Sequence, residues 1–166
     1  FEMGEYGKAA NYYEALIDQD VMELGQVNIQ KRLATSYASS GAFEEALQIY
    51  ETMTVEFLTE DDQFQMGFLY LQIKDYQKAI EILTKLQLAD PQYTSLYVYL
   101  ATAQEAQNEL QEALTTVQTG IGYDMYSEVL YQKGSDLALQ LGDDQVAEQM
   151  LNKALEINPD NMGEIS

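Results

Sequence analysis

The chain has no cysteine, no histidine and no tryptophan, and only two prolines in its 166 residues. Without cysteine there are no disulfides and no thiolate ligands, a composition that suits a reducing compartment, so the expected location is the cytoplasm. Without histidine as well, Ser-His-Asp and Cys-His nucleophile systems and histidine-based zinc sites are excluded, and the commonest general base is missing. No apolar run approaches the eighteen or so residues that span a bilayer, and the opening residues do not read as a secretory leader. Basic residues are the other scarce class, with 8 Lys and Arg against 28 Asp and Glu for a formal net charge of -20. Nothing here can replace phosphate counterions, which argues against nucleic acid as a partner and against docking to an anionic membrane surface.

What the chain does have is a period. Alanine recurs at Ala46, Ala79, Ala113 and Ala147, at spacings close to 34 residues. Thirteen positions before each alanine lie Leu33-Ala34, Met66-Gly67, Leu100-Ala101 and Gly134-Ser135, and four residues after each come Tyr50, Leu83, Val117 and Leu151. The two prolines, Pro91 and Pro159, each fall at the same distance behind the alanine of their unit. A period of this length means helical hairpins, each of which must lean on the next to bury its apolar face. Small residues in the eighth and twentieth places let two antiparallel helices approach closely, while the large apolar residues fill the space between layers. Between the helices stand Ser39-Ser40-Gly41, Lys74-Asp75, Gln107-Asn108 and Leu141-Gly142-Asp143-Asp144, where glycine suits a left-handed helix end and aspartate caps the next start. Asp90-Pro91 and Asn158-Pro159 should end the second helices of their hairpins. No stretch sustains period-two alternation, so the chain reads as all-α.

With this frame the sequence resembles the tetratricopeptide repeat family, whose pattern runs large-x2-Leu-Gly-x2-Tyr, Ala-x3-Phe, Pro. The resemblance implies a right-handed solenoid of stacked antiparallel hairpins. Its repeats are 27–59, 60–93, 94–127 and 128–161, the last two degenerate because Gln104 and Ala138 replace tyrosine and Gly134 replaces leucine. Residues 1–26 read as the second helix of a truncated first repeat plus a linker, since Gly4-Glu5-Tyr6-Gly7-Lys8-Ala9-Ala10 followed by Tyr13 copies Gly41 through Tyr50. Residues 162–166 form the C-terminal end. A start at Phe1, in mid-hairpin, suggests a piece of a longer protein.

Catalysis finds little support. The pairs Glu44-Glu45, Asp61-Asp62 and Asp143-Asp144 fall at helix starts, where the helix dipole favours negative charge. Gly120-Ile121-Gly122 follows no strand and lacks the third glycine of a nucleotide loop, and no calcium-loop spacing occurs. The expectation is a noncatalytic module with no cofactor, no metal and no catalytic residue. In the family the first helix of each repeat lines an inner groove, and by register the resemblance assigns to it Lys31 and Thr35, then Phe64, Phe68 and Leu71, then Val98, Thr102 and Glu105, then Gln132 and Asp136. Phe64, Phe68 and Leu71 share one helical face. They form either a socket for apolar side chains of a partner protein or peptide, or packing against a neighbouring repeat. The acid excess adds attraction for basic anchor residues, or serves only as a solubilising coat.

Family members that clamp a C-terminal carboxylate carry asparagine and basic residues in the groove. Here the ninth positions are Thr35, Phe68, Thr102 and Asp136, and that clamp is absent. Alternatives are self-association through exposed solenoid ends and a peptide-sensing part of a larger bacterial regulator. Of the 13 tyrosines, Tyr13, Tyr37, Tyr50, Tyr70, Tyr76 and Tyr97 fall on packing positions, Tyr99 is unassigned, and Tyr93, Tyr123 and Tyr126 sit near inter-repeat turns.

A net charge of -20 on a folded chain implies self-repulsion, which salt screens over about 10 Å near 0.1 M. The melting temperature should therefore rise between low and moderate salt. A fall would show that specific ion pairs outweigh the net repulsion.

Overall fold

The computed structural model describes residues 19–161, all of whose regular structure is helical. The incomplete first copy at Gly4 to Tyr13 and the end at 162–166 lie outside the described residues. Eight α-helices follow in order among the described residues: α1 Gln19–Ser39, α2 Phe43–Thr52, α3 Glu60–Gln72, α4 Tyr76–Ala89, α5 Ser95–Ala106, α6 Leu110–Tyr123, α7 Glu128–Gln140 and α8 Asp144–Ile157. Short 3-10 turns stand at Val55–Phe57 and Pro159–Asn161. The chain divides into two compact units, one up to Leu58 and one from Thr59.

In the first unit α1 packs on α2. Its buried side chains are Val27, Ala34, Ala46, Leu47, Tyr50 and Met53. Helix α1 is already formed at Gln19, so the stretch before Val27 that reads as linker is helical from there on. Helix α2 stops at Thr52, four residues earlier in the register than the second helices that follow. The run Thr52-Met53-Thr54-Val55 is rich in β-branched residues, and Met53 turns extended at ψ 144° with its side chain buried.

In the second unit each helix packs on the next, and the first helices also meet one another, α3 with α5 and α5 with α7. The core is Leu83, Leu86, Leu96, Tyr97, Leu100, Ala101, Ala113, Leu114, Val117, Leu130, Leu137 and Met150. The small residues stand where the helices touch. A Cβ on Gly67 would lie 2.5 Å from Leu83 Cδ2, and Ser135 Oγ donates to Ala147 O at 2.9 Å, so the serine both fits the crossing and satisfies its hydroxyl there. The departures from the repeat pattern are compensated locally. Gln104, standing where tyrosine is expected, accepts a hydrogen bond from buried Thr116 at 2.7 Å, and the space beside Gly134 is filled by Met150 and Val117. Gly120 lies inside α6 against Tyr97, so its glycine serves packing.

All four hairpins close through the same turn. Gly41, Lys74, Asn108 and Gly142 have φ of 85°, 63°, 62° and 80°. Each donates its N–H to the carbonyl three residues back, and the next residue donates to the carbonyl five back, as in Asp75 N to Tyr70 O at 2.9 Å and Asp143 N to Ala138 O at 2.8 Å. This double closure satisfies carbonyls left open at a helix end. Asp75 and Asp143 then cap α4 and α8 by accepting from Lys78 N and Val146 N. Thr59 and Asp62 form a reciprocal capping box at the start of α3, which accounts for the placement of that buried carboxylate. As the sequence indicates, α4 ends at Ala89 before Asp90-Pro91 and α8 ends at Ile157 before Asn158-Pro159.

Lysine in a left-handed turn pays a Cβ penalty that glycine avoids. Lys74→Gly is therefore expected to stabilise the chain by about 0.5 kcal/mol, net of the freedom glycine adds to the unfolded state, whereas Gly142→Val should cost about 1–2 kcal/mol. Urea denaturation midpoints check both, and unchanged midpoints would mean that the turns relax at no cost.

Candidate partner-binding surface

Each first helix of the second unit buries one face and holds another at the surface. In α3 the buried residues Met66, Leu69 and Tyr70 leave Phe64, Phe68 and Leu71 half-buried on a separate stripe. The Phe64 ring packs against Tyr99 at 5.0 Å between centroids and 75°, and against Tyr93 at 5.3 Å. The Phe68 ring meets Tyr99 edge-on at 5.8 Å and 89°. Edge-to-face contacts of this kind align the quadrupoles and hold the rings in place. Both phenylalanines thus pack against the neighbouring repeat, Phe64 leaning on the core and Phe68 meeting Tyr99.

Tyr99 was absent from the register-derived set, yet it joins both phenylalanines. The signal was its spacing from Tyr97. Residues two apart on a helix point to different sides, so once Tyr97 enters the core, fully buried, Tyr99 must look elsewhere. Tyr93 donates its hydroxyl to Asp61 Oδ1 at 2.6 Å. Burial, then that hydrogen bond and the charges of Asp61 and Glu60, push the Tyr93 phenol up to about 12.

The other assigned residues have mixed fates. Val98 and Thr102 are half-buried on α5, and Thr102 Oγ1 donates back to Val98 O at 2.7 Å. Glu105 is engaged between helices, paired with Lys133 and accepting from Gln140 Nε2 at 2.6 Å, so it ties α5 to α7. Burial raises its pKa, but the hydrogen bonds from Lys133 and Gln140 and the Lys133 charge outweigh that and hold the carboxyl below its usual value. On α7, Gln132 and Asp136 are exposed, with Gln132 Nε2 donating to Glu128 Oε1 at 2.7 Å. Lys31 and Thr35 belong to the first unit. There Lys31 Nζ donates to Phe57 O at 2.6 Å and Thr35 Oγ1 to Lys31 O at 2.9 Å, so the one cation of the set bonds to backbone.

Beside the aromatic group an open pocket of about 270 Å³ is lined by Thr94, Ser95, Val98, Tyr99, Asp124, Ser127 and Val129. Val98 stands at the fifth position of its repeat, as Phe64 does, and Ser95 and Val129 stand at the second. No group of three or more Asp or Glu that could hold a metal ion occurs among the described residues. No described helix is long and apolar enough to cross a membrane.

Sequential hairpins with this repeating turn and small-residue crossing define a helical-repeat scaffold. Models of the tetratricopeptide repeat match residues 1–57, 70–134 and 127–161, and the chain belongs to the tetratricopeptide repeat family. It is 36% identical over 159 residues to the TPR repeat-containing protein YpiA of Bacillus subtilis (strain 168), covering 96% of this chain and 37% of that protein. The chain thus spans a little over a third of the length of this relative. Among solved structures it resembles a crystal structure of MamA, with TM-score 0.77, 18% identity, and coverage of 98% of this chain and 94% of that one. It also resembles MamA from Desulfovibrio magneticus RS-1, with TM-score 0.73, 17% identity and coverage of 81% and 76%. At these identities the likeness to MamA concerns the fold alone.

Because Glu105 has a depressed pKa, its contribution is fully present above the ordinary value near 4.5 and is lost as pH falls below that value through the folded pKa. In Lys133→Met the carboxylate keeps its burial and loses its charge partner. The melting-temperature gap between the parent chain and Lys133→Met should therefore be widest near pH 7 and shrink below pH ~4.5. A gap that stays constant through that range would dissociate the pair from acid stability.

Proposed function

We propose that this chain is a noncatalytic interaction module that holds a partner protein or peptide on the inner face formed by α3, α5 and α7. The family is one of protein-binding scaffolds, and the observation that carries the reading for this chain is the half-buried group of Phe64, Phe68 and Tyr99 beside an open pocket. Aromatic side chains already fixed by their neighbours lose little entropy on binding and offer large contact area, the character of interface anchors. Phe68, Val98, Thr102, Gln132 and Asp136 are the residues best placed to touch the partner. Glu105 holds the surface together, and Lys31 and Thr35 join it only in so far as the partner also reaches the first unit. The absence of histidine and cysteine is consistent with a role without chemistry.

A specific observation favours a second reading as well. Ile29, Leu33 and Tyr37 form a stripe on α1 at i, i+4 and i+8, and Ile29 is 68% exposed. At the same register α5 and α7 bury Leu96, Leu100, Leu130 and Ala138. An apolar stripe of this kind suits another helix, and in this reading it belongs to a second copy of the chain.

Selection from a displayed library of twelve-residue peptides tests the first reading. Phe68→Ser should weaken the selected binders at least ~10-fold, as expected when an anchor is lost, while the circular-dichroism spectrum stays helical. Binders indifferent to Phe68→Ser and to Val98→Ser would move the site off this face. Sedimentation separates the second reading, since Leu33→Ser abolishes a dimer built on α1 and has no effect on a monomer.

A further inference from the structure

The connection between α6 and α7 differs from its two counterparts in one respect. All three begin alike: Asp90, Asp124 and Asn158 end the preceding helix with φ of -139°, -135° and -132° and ψ of 86°, 84° and 88°. In each the side-chain oxygen accepts from the N–H two residues on, at 3.1, 3.2 and 3.3 Å. After Asp90 come Pro91 and polar Gln92, and after Asn158 come Pro159 and Asp160. After Asp124 come Met125 and Tyr126, 61% and 77% exposed, and Val129 in the first turn of α7 is 55% exposed. The repeat needs no large exposed side chain there, because its counterparts close the same turn with proline and one polar residue.

This apolar rim borders the pocket that Asp124, Ser127 and Val129 help to line. The pocket walls pair two valines and the Tyr99 ring with the hydroxyls of Thr94, Ser95 and Ser127 and the Asp124 carboxylate. Asp124 Oδ1 is engaged by Tyr126 N, while Oδ2 has no hydrogen-bond partner among the described residues. The charge around it is one-sided. After Lys85 the only cations are Lys133 and Lys153, paired with Glu105 and Glu156, against thirteen carboxylates.

We propose that this pocket is a socket for an arginine side chain of a basic peptide segment, with an apolar neighbour of that arginine resting on Met125 and Tyr126. The inference rests on the inner-face reading above and names the anchor that face selects. Arginine fits better than lysine, because a planar guanidinium offers five donors to a site with a carboxylate and three hydroxyls, and it packs on an aromatic ring. Its methylene stem lies along Val98 and Val129, where a compact polar group would leave apolar surface unsatisfied. The surrounding negative field raises the local concentration of such a segment and makes its capture salt-dependent.

Three short probes decide the matter: acetyl-Gly-Arg-Gly-amide, its citrulline counterpart of equal shape and no charge, and its phenylalanine counterpart. The readout is the shift of the Val98 and Val129 methyl signals during titration of the chain. The arginine probe should bind at least ~5-fold more tightly than the citrulline probe and weaken with added salt, the scale expected of one partly exposed ion pair. Asp124→Asn should remove that preference without changing the melting temperature, since Asn158 closes the equivalent turn with the same dihedral angles. Equal binding of arginine and citrulline, or an arginine preference that survives Asp124→Asn, overturns the socket. A phenylalanine probe that shifts Phe68 while the arginine probe shifts nothing also overturns it, and leaves the inner-face reading standing.

Discussion

The close approach of paired helices at residues with little or no side chain is the constraint on which the second unit depends. Leu83 lies so near Gly67 that any Cβ there would collide with it, and Ser135 fits its crossing by hydrogen-bonding the Ala147 carbonyl. Such contacts bring large side chains of adjoining layers, such as Tyr97, Leu100 and Leu130, into one continuous core. Burial at roughly 25 cal/mol per Å² then rewards the stack, which a single hairpin cannot achieve. Because that contact uses one face of each first helix, another is left to carry Phe64 and Phe68 on α3, Tyr99 on α5 and Val129 on α7. The surface proposed for binding is a consequence of how the core is built.

Most of the fold was legible because it is repeated. The alanine period, the turn residues and the two Asx-Pro stops each state a local geometry that backbone sterics enforce, and the hairpins follow that frame. Degenerate repeats were harder, since the compensation lies in a partner elsewhere: Thr116 for Gln104, Met150 for Gly134. Neither partner is marked by the repeat pattern. The end of α2 was illegible for another reason. No glycine or proline marks Thr52, and the helix yields to a run of β-branched residues whose individual preferences are weak.

The candidate surface was less legible than the fold because register fixes where a Cα stands and not where a long side chain ends. Lys31 and Glu105, both assigned by register to the groove, are each drawn to a fixed partner, a backbone carbonyl in one case and an ammonium in the other. An unpaired charge at a partly dry site is costly, so a charged residue with a reachable partner takes it. Apolar and aromatic residues have no such preference, and Phe64, Phe68 and Val98 stay half-buried beside one another's neighbours without a fixed polar partner. Tyr99 escaped because the family pattern names no role for its position, although its offset from Tyr97 already placed it outside the core.

The same preference gives the acid excess a more specific meaning than solubility. Where cations are few, the nearest carboxylates claim them, as Glu105 claims Lys133 and Glu156 claims Lys153. Other carboxylates accept from neutral side chains or backbone N–H groups, as Glu128 does from Gln132 and Asp61 from Tyr93, and such bonds leave the net charge in place. At most positions that charge is dispersed and screened within about a Debye length. Asp124 differs because apolar walls and a tyrosine ring stand beside it, lowering the local dielectric and strengthening its pull on any cation that displaces the water. Under the proposed socket, an acidic chain is thus not uniformly attractive to basic segments, and selectivity is concentrated where a carboxylate meets an apolar pocket.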